Sequence, residues 1–112
     1  MVSKEQIENT VKEILESYPK LKEMIDNDYP WKIMKTNSAI MIDGTDGKYL
    51  PGWICFITSV NETLNGSRGN IAFSFDFSGN PKEILIYDMG RPRIYYFQGK
   101  DETGKYQISE KK

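Results

Sequence analysis

Residues 53–57 read Trp-Ile-Cys-Phe-Ile, so both alternating sides of this segment are apolar. Successive side chains of a strand point to opposite faces of a sheet, and a strand with one face in water carries polar residues at every second position. Residues 53–60 are therefore predicted to form a central strand that needs cover on both faces. What covers the second face is the main functional question that the sequence raises.

An N-terminal helix is the predicted cover for one face. Ser3 suits an N-cap, and Gln6, three positions later, can complete a capping box with it. Apolar residues recur at helical spacing over residues 4–18. Pro19 removes a backbone donor and should end the helix, and a second short helix is predicted over residues 20–26.

After Trp31 the pattern changes to short apolar runs separated by turn residues. Strands are predicted at 32–35 and 39–42 (or one longer strand broken near Asn37), 53–60, 71–77, 83–88, 93–98 and 106–109. The predicted fold class is α+β: one domain over residues 1–112, with an amphipathic helix and a short second helix packed on a curved antiparallel sheet of four to six strands. By analogy alone, this plan is similar to NTF2-like and cystatin-like folds.

Four arrangements would cover the second face of the central strand. The sheet can curl around an internal pocket, or a second copy of the chain can pack against it. A different protein can dock there, in which case the apolar patch is a binding site. In the fourth arrangement the short helix and the long loops are sufficient cover.

The chain has no histidine among its 112 residues, which excludes imidazole acid–base catalysis and histidine-containing metal sites. Its single cysteine, Cys55, lies within the apolar run and is predicted to be a small core residue. No catalytic constellation, cofactor motif or metal-ligand spacing is recognisable, so we expect a protein that is not an enzyme. The one acid of interest is Asp76, which would act as a general base if an enclosed site raised its pKa.

Net charge and hydropathy limit the cellular location and the kinds of partner that we expect for this chain. The net charge is −1, which disfavours nucleic acid, because phosphate binding relies on a basic excess. No apolar run is long enough for a membrane span or resembles a secretory signal, and the lone thiol suits a reducing compartment. A cytoplasmic protein without a membrane partner is expected.

Aromatic and arginine residues are enriched at protein interfaces, and they supply the candidate binding residues. One edge is predicted to be anchored by Trp31, Tyr49 and Trp53, and the patch itself to comprise Tyr87, Arg91, Arg93, Tyr95 and Tyr96. The function expected from these residues is that of a non-enzymatic interaction domain, of the inhibitor or immunity-protein kind, that binds a protein partner or a second copy of itself. The alternative is a pocket that binds a small apolar ligand, or proton transfer by Asp76.

Overall fold

The computed structural model describes residues 2–41, 48–88 and 92–110. Helix α1 spans Lys4–Ser17 and helix α2 spans Pro19–Glu23. The predicted capping box is present, since the Ser3 hydroxyl accepts from the Gln6 backbone N–H and the Gln6 side chain accepts from that of Ser3. Helix α1 ends where Pro19 begins α2, as the lack of a backbone donor in proline requires.

Within the described residues, six strands form one antiparallel sheet in the order of the chain, so each strand pairs with its sequence neighbours. The strands are β1 (Lys32–Met41), β2 (Tyr49–Glu62), β3 (Arg68–Phe75), β4 (Pro81–Tyr87), β5 (Arg93–Lys100) and β6 (Tyr106–Glu110). The predicted α+β class is confirmed, and the sheet does not close into a barrel. Of the two possibilities for residues 32–42, the single strand is present, with a register shift between Thr36 and Ile40.

The core lies between the helices and one face of the sheet, which we call the helix face. Four buried residues of α1 project into it: Ile7, Val11, Ile14 and Leu15. They pack against Cys55 of β2, Phe73 of β3 and Ile84 of β4, which register brings side by side. The N-terminal half of α1 lies near Trp31 and Ile33, and its C-terminal end reaches β6, where the Tyr18 hydroxyl donates to the Tyr106 carbonyl oxygen.

Strand β3 ends two residues earlier than predicted. Asp76 begins the turn into β4, where its Oδ1 accepts from the backbone N–H groups of Ser78 and Asn80, both at 2.9 Å. Phe77 consequently lies in the turn and is exposed, whereas alternation predicted it on the face of Phe75. The turn residues Asp43, Gly44, Asp46 and Gly47, between the strands predicted at 39–42 and 53–60, lie outside the described residues.

Candidate functional site

The second face of the sheet, which we call the open face, carries no helix among the described residues. Register places one row of side chains across it, namely Phe56, Ala72, Leu85 and Ile94. Phe56 is 36% exposed, Leu85 and Ile94 are half-buried, and Met34 and Val60 on the same face are also exposed. Because soluble proteins rarely expose large contiguous apolar patches, this row is a candidate interaction surface.

The open face is concave at its centre. A cavity of about 320 Å³ lies over Ile54, Phe56, Leu85 and Ile94. Within its register shift, β1 brings Ser38 and Ala39 to the cavity wall, and Tyr49 and Tyr87 line the cavity at exposed positions. Glu83 and Ser74 are the buried polar residues of this wall. A convex, largely apolar surface would fit this shape.

The predicted patch is divided between the two faces. Tyr95 pairs with Ile84 and packs against the core, whereas Tyr96 pairs with Glu83 and projects to the open face. Arg93 lies on the helix face with Tyr95, and its Nη2 donates to Asp88 Oδ2 at 2.7 Å. Neighbouring residues of a strand point in opposite directions, so one surface cannot present Tyr95 and Tyr96 together.

The three predicted edge anchors differ in how deeply they are buried. Trp53 is 5% exposed and belongs to the core, because it shares the helix face with Cys55. Trp31 is half-buried against the core near the start of α1. Tyr49 is exposed and lines the open-face cavity. Arg91 lies outside the described residues.

The predicted binding residues do not include the aliphatic and phenylalanine residues at the centre of the open face: Ile54, Phe56, Leu85 and Ile94. The signal that identifies them is alternation from a core position. Once Cys55 and Phe73 are assigned to the helix face, Ile54 and Phe56 must project to the other side. Choosing binding candidates by residue type favours aromatic and arginine residues, but it ignores which face of the strand each residue occupies.

A second cavity, of about 590 Å³, lies on the helix face beyond the end of α1, between α2 and strands β4–β6. Its walls are mostly apolar and come from Tyr18, Leu21, Met24, Ile84, Ile86, Tyr95 and Ile108. It exists because α2 has only five residues and does not cover β5 and β6, whose helix-face residues Tyr95 and Ile108 are only half-buried.

Two side chains with reactive groups, Cys55 and Asp76, have pKa values that are shifted by their surroundings in the fold. Burial raises the pKa of the Cys55 thiol to about 12, with a smaller contribution from Glu8, so the thiol is neutral at pH 7. Partial burial raises the pKa of Asp76, but hydrogen bonds from Asn80 and Ser78 and the charge of Lys82 outweigh it, and the pKa lies below its ordinary value. The raised pKa that the general-base hypothesis required is therefore absent.

The comparisons with known proteins give no functional lead. The chain matches no protein-family model, no curated protein and no solved structure. Across residues 2–41, 48–88 and 92–110, no group of three or more carboxylates and thiols is placed to hold a metal ion. Neither helix of that part of the chain is long and apolar enough to cross a membrane. A function for this chain therefore has to be inferred from the geometry of its two sheet faces.

Proposed function

We propose that the chain is a non-enzymatic interaction domain that binds a protein surface through its open face. The observation that carries the proposal is that Phe56, Leu85 and Ile94 of the open-face row remain partly exposed, whereas Cys55, Phe73 and Ile84 on the helix face are fully buried. Aromatic residues and methionine are enriched at interface centres, where charged residues are depleted. Met34, Phe56, Tyr49 and Tyr87 supply methionine and aromatic side chains to the open face, which also carries Lys32 beside Phe56 and Glu83 in the cavity wall.

The proposal is tested by placing a photo-crosslinking amino acid at Phe56 or, as a matched control, at Leu64. Leu64 is 77% exposed but lies in the turn between β2 and β3, away from the open face. We expect a discrete crosslinked species, either a partner or a second copy of the chain, from Phe56 and not from Leu64. Identical products from the two positions would contradict the proposal.

The captured species is then purified and titrated against Phe56→Asp and Leu64→Asp variants whose folding is verified by circular dichroism. A central interface residue contributes more than about 1.4 kcal/mol, so Phe56→Asp should weaken binding at least tenfold and Leu64→Asp should have little effect. Equal affinities of the two variants for the captured species would exclude the open face as the binding surface. If the species is an enzyme, its activity with and without the domain tests the inhibitor role.

A further inference from the structure

We infer that the cavity between α2 and strands β4–β6 binds a monomeric amphiphile with one anionic head group, of the long-chain carboxylate class. This site is on the opposite side of the sheet from the proposed protein interface and does not depend on it. The cavity volume of about 590 Å³ lies within the range of roughly 300–1,000 Å³ that is usual for small-molecule sites.

The apolar walls determine the tail of the ligand. Leu21 and Met24 lie on the helical side, and Ile84 and Ile86 form the floor on the sheet, with Ile108 at the side of β6. Unbranched methylene chains fit such a lining, because the walls present aliphatic groups and the flexible methionine adapts its shape. Each methylene buried there should tighten binding about fourfold until the cavity is full.

The charges around the cavity determine the head group. Lys20 and Arg93 are lining residues, and no acidic residue in the described part of the chain lines the cavity. Arg93 Nη2 donates to Asp88, but a guanidinium has five N–H donors and can bind a second acceptor. Lys20 is exposed at the position where α2 begins, so its ammonium group can reach a carboxylate at the cavity mouth. Because the charge of Arg93 is shared with Asp88, Lys20 supplies the positive charge at the cavity mouth that favours an anionic ligand.

The shape of the cavity favours a free amphiphile over a membrane surface. Ser17, Tyr18 and Pro19 lie on one side of this partly open cavity and Tyr95 on another, so a single chain would lie between the helix and the sheet. The ends of these walls are tied together, because the Tyr18 hydroxyl donates to the backbone of β6 at Tyr106. We therefore expect a free amphiphile to bind here more readily than a lipid that remains in a bilayer.

The test is a calorimetric titration of the intact chain with laurate and with dodecanol, both kept below micelle-forming concentrations. We expect one laurate per chain and weaker binding of dodecanol, which has the same tail without the charge. Shorter carboxylates should bind about fourfold more weakly per methylene removed. Absence of laurate binding would overturn the inference, as would binding to anionic phosphatidylglycerol vesicles but not to monomeric laurate. Equal affinity for dodecanol would overturn the assigned head group.

Two matched pairs of variants locate the site. Ile108→Trp fills the cavity and should reduce laurate affinity at least tenfold, whereas Ile94→Trp makes the same change at a half-buried position of the open face and should leave it unaltered. Lys20→Gln should weaken laurate but not dodecanol, and Lys22→Gln, also exposed on α2 and outside the cavity lining, should weaken neither. Laurate affinity that is indifferent to Ile108→Trp would show that the ligand binds elsewhere.

Discussion

At the scale of single residues, the carboxyl group of Asp76 is held by the turn that it begins. Its Oδ1 accepts from two backbone N–H groups, its Oδ2 accepts from the Asn80 side chain at 3.1 Å, and Lys82 lies 3.7 Å away. All these donors favour the ionised form and outweigh the effect of partial burial, so the folded pKa lies below the ordinary 3.8. The residue that the sequence marked for catalysis thus stabilises a turn.

This lowered pKa predicts how stability depends on pH. A group with a depressed folded pKa contributes stability above its unfolded pKa and loses it as the pH falls through the folded pKa. The free energy of unfolding of the wild type should therefore fall from about pH 5 downward, and Asp76→Asn should be less stable at pH 7 but fall less steeply. The measurement is urea unfolding at a series of pH values, with the exposed Glu23→Gln as control. Parallel curves for wild type and Asp76→Asn would contradict the assignment.

At the scale of elements, three of the hairpin turns share one construction. They begin at Thr63, Asp76 and Asp101, and in each the third residue after the first is a glycine with φ near +85° that donates its N–H to the first residue's carbonyl oxygen. The N–H of the first residue then donates to the carbonyl oxygen of the fourth residue after it. Glycine adopts this backbone conformation without the steric cost that a Cβ imposes.

Gly104 provides a test in which packing does not interfere, because a Cβ built there meets nothing within 4 Å. Gly104→Ala should cost about 1–2 kcal/mol of unfolding free energy, and Gly104→Asn should cost less although asparagine is larger, since asparagine tolerates positive φ. Thermal or urea unfolding gives both values.

Gly79→Ala is the matched comparison at the turn after β3. It should cost more than Gly104→Ala, because its Cβ would lie 3.2 Å from a Val2 methyl group as well as in a strained conformation. Equal losses of unfolding free energy in Gly104→Ala and Gly104→Asn would show that the positive φ does not cause the destabilisation.

Elements whose sequence signal lies within one segment could be predicted. Strand ends that depend on pairing with another strand could not. Helix α1 is predictable from its capping box and 3.6-residue period, both of which lie within one segment. Strand β2 begins four residues before the predicted start, because Pro51 and Gly52 argue against a strand. They are accommodated where the pairing with β1 changes register, between Thr36 and Ile40. The register is set by the pairing of the two strands, so it cannot be predicted from the sequence of either strand alone.

The same distinction applies to the candidate site. Alternation at Tyr95 and Tyr96 already shows that they cannot share a surface. Which of them faces the helix depends on where α1 packs, and its apolar stripe fits either face of an apolar strand. The helix-face cavity depends further on the short length of α2 and on the position of β6, which no local pattern encodes.

At the scale of the whole molecule, the middle of the sheet and its β6 edge differ in how many buried contacts stabilise them. Strands β2 and β3 lie under α1, with Cys55 and Phe73 fully buried. Strand β6 is an edge strand of five residues with no buried position, and beside it lies the larger cavity. Few buried contacts permit local opening without unfolding of the rest, so stability should decrease from β2 and β3 towards β6.

Hydrogen exchange measures this gradient amide by amide. We expect the amides at the centres of β2 and β3 to exchange only through global unfolding, and those of β6 to exchange faster by local opening. Tyr18→Phe removes the hydroxyl that donates to the Tyr106 carbonyl oxygen, so it should speed exchange in β6 while leaving β2 and β3 nearly unchanged. Tyr29→Phe is the matched control, because Tyr29 is exposed and remote from β6 in the segment before β1. Uniform protection across the sheet would mean that the molecule opens as one unit. An equal effect of both substitutions on exchange in β6 would mean that the Tyr18 hydroxyl does not stabilise this edge strand.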